Sequence, residues 1–283
     1  MSMAGDLTAD DLLSSRLLIV APHMDDEILG CGGSMLRHAD KTRIHCVYAT
    51  DGARSPAPLL PWIGSIDPGI KELRRREAHE VMGAVGIPPD NLVFLDLPDR
   101  KLSRNASELK RRLESEIARI APSVILIPFR YDLHPDHVAV HRCVRRAVRE
   151  SAAGPVLLEY FIYFRWRLIG AKDIRRTISE SHLLKVDVES VAAKKIAAIR
   201  LYRSQTSILG DWQERPILTA HSIAERCSEP ETFLRSDPGQ PLSAIFSENR
   251  IRILMAHYIE RIGKRRKDQV RALLKWILGS RRK

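Results

Sequence analysis

The stretch LLIVAPHMDDEILGCGG, residues 17–33, decides the reading of the fold. Leu17–Ala21 is an unbroken apolar run, the pattern of a strand buried on both faces. Helical spacing follows from about Asp26 to Ala39. A buried strand that feeds directly into a helix is the opening of a βαβ unit. The turn between them, however, carries His23, Asp25, Asp26 and Glu27, a dense load of charge at the end of a very apolar segment.

Outward from this stretch the alternation continues. Apolar runs predict strands over Ile44–Ala49, Asn91–Leu95, Val124–Pro128 and Val156–Phe164. Helices are predicted over Lys71–Val85, closed by Gly86 as a C-cap, and over Ser107–Ile120, Pro135–Ser151 and Ala192–Tyr202. Leu109, Leu113, Ile117 and Ile120 recur at the spacing of one helix face. Strand–helix alternation with wholly apolar strands implies a Rossmann-like, doubly wound α/β fold: a mostly parallel sheet with helices on both faces. No internal repeat is visible. The pattern changes after Ser190, runs irregularly to about Ser247 and ends in a basic tail. This gives one main domain, residues 1–247, and a basic amphipathic helical C-terminal extension, residues 248–283.

The bulk properties narrow the class. The chain has 283 residues and a net charge of +11, but the charge is uneven. From Arg250 to Lys283 there are twelve Lys/Arg against two acids, so the body is close to neutral. No apolar run reaches the length of a membrane span, and the acidic start lacks the order of a signal peptide. The four cysteines, Cys31, Cys46, Cys143 and Cys227, form neither a disulfide framework nor a metal clip. They are expected to be buried thiols in a cytoplasmic protein.

Two clusters lie just past strand ends, where open α/β sheets bind ligands. The first is His23–Glu27. The second is RYDLHPDHVAVH, residues 130–141, after the fourth strand. In a doubly wound sheet the first and fourth strands are commonly neighbours, so the clusters should meet. A nucleotide site is a poor match, because carboxylates in the first turn would repel a pyrophosphate. Gly30, Gly32 and Gly33 lie inside the helix and suit close packing on the sheet instead. A divalent cation fits. His23 and Asp26 can supply two ligands and a histidine of the HPDH segment the third, leaving Asp25 as a base. Each cluster alone reads as a helix cap or a surface turn; the pair at two buried strand ends does not.

These residues resemble the PIG-L/LmbE-like de-N-acetylase family. The family's H-P-D-D-E is similar to His23–Glu27, with Met24 in place of proline, and its H-P-D-H is intact at His134–His137. Asp51–Gly52, Arg74-x-x-Glu77, Leu97-Pro98-Asp99, Tyr202-x-Ser204-Gln205 and Glu231-x-Phe233 extend the likeness over roughly residues 15–235. The resemblance implies that His23, Asp26 and His137 hold zinc, or another first-row metal such as Fe2+. It implies Asp25 as general base and His134 as oxyanion stabiliser or proton donor, oriented by Asp136. It also implies Arg74 and Asp99 as sugar-binding residues. The implied reaction is metal-dependent removal of an acetyl group from an N-acetylglucosamine-type conjugate, lipid-linked substrates included.

Two other readings stand beside it. The same site would serve a zinc amidase or deacylase acting on a non-sugar amide. A non-catalytic protein could instead use the basic tail on a membrane or on nucleic acid, although no aromatic-interleaved motif supports nucleic acid. The tail reads as amphipathic helices, with Ile251, Leu254, Tyr258 and Ile262 on one face. It is either docked on the body or peripheral to a membrane. His141 is expected to pack rather than ligate. Oligomeric state is left open.

Overall fold

A computed structural model describes residues 7–58, 64–149, 154–165, 173–236, 245–246, 253 and 255–259. Strands are β1 (Leu17–Ala21), β2 (Ile44–Thr50), β3 (Leu92–Leu97), β4 (Val124–Pro128), β5 (Val156–Tyr160), β6 (Leu183–Val186) and β7 (Glu231–Ser236). Helices are α1 (Ala9–Ser14), α2 (Asp26–Arg37), α3 (Ile70–Val85), α4 (Ala106–Ile120), α5 (Pro135–Arg149), α6 (Ala192–Leu201), α7 (Arg203–Thr206) and α8 (Ala220–Cys227). The sheet has seven strands in the order β3-β2-β1-β4-β5-β7-β6. β1 pairs in parallel with both β2 and β4. The order therefore reverses between β1 and β4, the switch point at which such sheets bind ligands.

The two-residue period of β1 builds a core on each face. Leu17, Ile19 and Ala21 pack under α2 and α3 with Ile44, Cys46 and Leu126. Leu18 and Val20 face the other way, toward Leu109 and Leu113 of α4 and Val140 and Val144 of α5. Each fully buried aliphatic side chain contributes about 1.5–3 kcal/mol. Gly30 lets α2 approach the sheet closely: a Cβ there would lie 2.5 Å from Tyr160 Cδ2. The Tyr160 hydroxyl donates to the Val20 carbonyl at 2.9 Å beneath it. Gly86 ends α3 in the left-handed region, at φ 91°. All four cysteines are free and buried.

The alternation of elements is as expected up to β5, with two differences beyond. β5 ends at Tyr160, not Phe164, because Phe161 and Phe164 leave the sheet for a third cluster with Phe129 and Leu234. The stretch read as irregular contains α8 and β7, and β6 precedes α6. β7 is antiparallel to β5 and to β6, which makes the sheet mixed at that end. The boundary at 247/248, Trp62 and most of the basic tail lie outside the described residues; of the tail, residues 253 and 255–259 are described and helical. Of the extension, Ile253 and Ala256 are buried in the third cluster. Among the described residues, no helix is long and apolar enough to cross a membrane.

Candidate functional site

The turn after β1 is pinned before it reaches the acids. The Pro22 carbonyl accepts from Thr50 N–H at 3.0 Å and from the Thr50 hydroxyl at 2.8 Å, so β1 and β2 end together. Asp25 then sits at φ 138°, outside the usual range of an L-residue, and makes no side-chain cap to α2. Such strain persists only where the surroundings enforce it. The Asp25 N–H donates to Glu27 Oε2 at 3.0 Å, and Glu27 Oε1 accepts the Tyr202 hydroxyl at 2.6 Å. Burial pushes the Glu27 carboxyl up to about 8, against the Tyr202 hydrogen bond. On the other side of Asp25, the Arg74 guanidinium bonds the Met24 carbonyl and lies 3.2 Å from Asp25 Oδ1. Burial raises Asp25 to about 6, with Arg74 opposing.

Asp26 turns the opposite way. Its Oδ2 accepts the His23 backbone N–H at 2.9 Å and lies 3.1 Å from His23 Nδ1 and 3.2 Å from His137 Nε2. The two imidazole nitrogens are themselves 3.3 Å apart. Burial disfavours the Asp26 carboxylate, but His137 and His23 beside it hold it well below the ordinary range. Burial also works against a charged His137, yet Asp26 and Asp132 raise it to about 9. Three ligand-type atoms thus form a nearly equilateral triangle. In a tetrahedral site with bonds of about 2.0–2.1 Å, neighbouring ligand atoms are roughly 3.3–3.4 Å apart. Two further sets of ligand atoms, His23–His134–His137 and His23–Asp99–Asp136, lie within 4.8 Å of one another. The His23–Asp26–His137 triangle has sides of 3.1, 3.2 and 3.3 Å.

Partners behind these residues fix their orientation. Asp132 Oδ2 lies 3.3 Å from His137 Nδ1. A carboxylate on the far nitrogen is the arrangement that orients a ligating imidazole. Asp99 Oδ1 and Asp136 Oδ2 each stand 3.5 Å from His23 Nε2, an ion-pair rather than a hydrogen-bond separation. Asp132 is the functional candidate that the motif reading missed; its place two residues before His134 was the available signal.

The structure brings all eight expected site residues into one cluster, with partners that differ in part from those expected. The Asp136 carboxylate does not meet His134. It accepts Arg100 N–H at 2.6 Å and Leu102 N–H at 3.1 Å, tying down the chain after β3. It is the Asp136 backbone N–H that donates to His134 Nδ1, at 3.2 Å, which leaves Nε2 as the hydrogen-bearing nitrogen of a neutral ring. Burial and the neighbouring His23 and His137 hold the His134 imidazole well below its ordinary value. A standing imidazolium there does not fit, because a backbone donor already occupies Nδ1. Asp99 is buried and accepts Arg54 N–H through Oδ2. Both its oxygens face protein, so it supports His23 and the loop more directly than it meets a sugar. Arg74 retains donors: its buried Nε and Nη1 have no partner among the described residues. His141 packs as expected. Its Nδ1 lies 3.1 Å from the Pro128 carbonyl, and burial pushes it down to about 4.

The outlying motifs interlock around this centre. Glu77 accepts the Ser204 N–H at 2.8 Å and the Ser204 hydroxyl at 2.6 Å, joining α3 to α7. Glu231, at the start of β7, accepts from Gly33 N–H, Ser34 N–H and the Ser34 hydroxyl and pairs with buried Lys195 at 2.7 Å. Glu231 and Lys195 brace α2 from elements far along the chain.

Residues 18–148 match the family described as PIG-L: GlcNAc-PI de-N-acetylase. A 1D-myo-inositol 2-acetamido-2-deoxy-alpha-D-glucopyranoside deacetylase of Streptomyces avermitilis is 24% identical over 258 residues, covering 71% of this chain and 86% of the relative. A 2'-N-acetylparomamine deacetylase of Streptomyces fradiae is 29% identical over 217 residues, covering 69% and 75%. Among solved structures, a deacetylase of the teicoplanin biosynthetic pathway superposes with a TM-score of 0.60 at 18% identity, over 78% of this chain and 99% of that one. Residues 18–148, which hold both clusters, thus carry a PIG-L family domain.

Proposed function

We propose that this protein is a metal-dependent hydrolase that removes the acetyl group from the amide of an N-acetylglucosamine-type sugar conjugate. The observation that carries the reading is the triangle of His23 Nδ1, Asp26 Oδ2 and His137 Nε2, with the Asp25 carboxylate one residue away. Two imidazoles and a carboxylate form a donor set suited to zinc, and equally to ferrous iron. When bound, such a cation supplies Lewis acidity, polarising the acetyl carbonyl and making water acidic enough to attack near neutral pH.

The protein's own groups then have distinct tasks. Asp25, raised by burial and steered by Arg74, takes the proton of the attacking water. The Nε2–H of His134 donates to the oxygen on which negative charge develops. The C–N bond breaks only with protonation of nitrogen, since an amide anion cannot leave, and the proton held on Asp25 is the one required. Arg74 Nε and Nη1 offer donors for sugar hydroxyls. The relatives named as deacetylases of acetamido-sugars support this substrate class over a non-sugar amide.

The test is to incubate zinc- or iron-loaded protein with a panel of N-acetylglucosamine conjugates and to measure free amine and acetate together. Release that requires both metal and Asp25 is the expected result. Metal-loaded protein that releases neither product from any conjugate would overturn the proposal. Asp25→Ala should retain metal and lose about 10²–10⁴-fold in turnover.

A further inference from the structure

Away from the acid-and-imidazole cluster, α5 bears a second concentration of charge. Arg142, Arg145 and Arg146, with Arg130, Tyr131 and His141, line a cleft of about 310 Å³. Arg130 is neutralised there, its buried guanidinium 2.5 Å from Glu159. Arg142 and Arg146 are exposed, and among the described residues neither meets a carboxylate. Tyr131 links the cleft to another feature. Its ring lies 5.5 Å from the ring of His257, whose Nε2 is 3.4 Å from the Asp132 carbonyl. Residues 253 and 255–259 are helical there. Ile253 and Ala256 are buried against the body, whereas Met255, Tyr258 and Ile259 are 59%, 66% and 49% exposed.

A helical turn anchored by one side, with large apolar side chains outward and linked through Tyr131 to an arginine-lined cleft, has the make-up of an interfacial surface. Tyrosine belongs at headgroup depth and arginine at lipid phosphates, while methionine and isoleucine suit the acyl boundary. We propose that this face, comprising the arginine cleft of α5, Tyr131 and the outer side of residues 255–259, docks on an anionic phospholipid bilayer. The charge complementarity favours a phosphate-rich surface over a protein partner. The inference stands independently of the deacetylase reading, because its measurement needs no turnover.

The experiment is co-sedimentation of the full chain with phosphatidylcholine vesicles, with and without phosphatidylglycerol. The protein should partition onto the anionic vesicles only, and added salt should release it. Replacing Arg142→Gln with Arg146→Gln, both exposed and outside the reaction centre, should weaken partitioning roughly thirty-fold while the basic tail is untouched. Met255→Ser with Ile259→Ser should weaken it as well, and circular dichroism of each variant should match the parent. A double arginine variant that partitions like the parent would place binding elsewhere and overturn the proposal. So would equal binding to neutral vesicles, or calorimetric binding of inorganic phosphate with no vesicle binding.

Discussion

The Tyr202 hydroxyl donates to Glu27 Oε1 at 2.6 Å across 175 residues of chain, and both groups are buried. The other oxygen of Glu27 holds the N–H of Asp25, the residue with the strained backbone. Tyr202 is therefore linked through Glu27 to Asp25, the proposed base. Tyr202→Phe keeps the ring but leaves a buried acceptor unsatisfied, costing about 1–3 kcal/mol in stability. Loosened support at Asp25 should also lower kcat, by up to about a hundred-fold, with KM and metal content little changed. Unaltered kcat in a folded Tyr202→Phe protein would limit the contact to stability.

Asp132 and His137 give a graded prediction on metal retention. His137→Ala removes one corner of the triangle and should abolish tight binding. Asp132→Ala removes only the carboxylate 3.3 Å behind His137 and should weaken binding about 10–100-fold. Competition against a fluorescent chelator measures both, and equal affinity in the Asp132 variant would dismiss its supporting role.

Lys195 and Glu231 form a buried pair 2.7 Å apart. Glu231→Ala should cost about 3–5 kcal/mol in urea melts, since it strands a buried ammonium and frees the donors of Gly33 and Ser34. Replacing both, as Lys195→Met with Glu231→Gln, should cost less than Glu231→Ala alone. A larger loss in the double variant would count against the desolvation argument.

His141 should make stability fall in mild acid. Its folded pKa is pushed down to about 4 by burial, from an ordinary value near 6.5. Above pH 6.5 it is neutral in both states. As pH falls from there toward 4, the unfolded chain takes up the proton first, and the contribution is lost progressively, reaching about 3 kcal/mol. Denaturant melts between pH 7 and pH 4 should show this slope, and His141→Asn should flatten it. Identical slopes in the two proteins would show that another group governs acid lability.

How much of this was legible depended on distance along the chain. β1, β4 and the two clusters behind them were readable because apolar runs and residue spacing are local signals. That the clusters meet followed from a topological regularity, and the β1–β4 pairing bears it out. The direction of the Asp136 side chain was not legible. Spacing places Asp136 beside His134 but cannot tell whether carboxylate or backbone makes the contact. The bracing by Tyr202 and Glu231 joins residues 175 and 198 positions apart, beyond any periodicity. β6 is four residues long, and β7 sets Phe233 and Leu234, both buried, side by side, so neither strand shows a clear two-residue alternation. Both were hidden in a stretch whose composition resembles loops.

The interior position of β7 has a consequence for how the protein comes into being. During synthesis β5 emerges long before the strand that will cover it, while β6 has no partner at all until Glu231–Ser236 arrives. Until then β5 is an open sheet edge, the kind of surface on which chains pair wrongly. The same late segment brings Glu231 to the backbone of α2. A ribosome that stalls before residue 231 would therefore release a chain with every side chain proposed for the reaction already made, yet with its sheet unsealed and α2 unbraced.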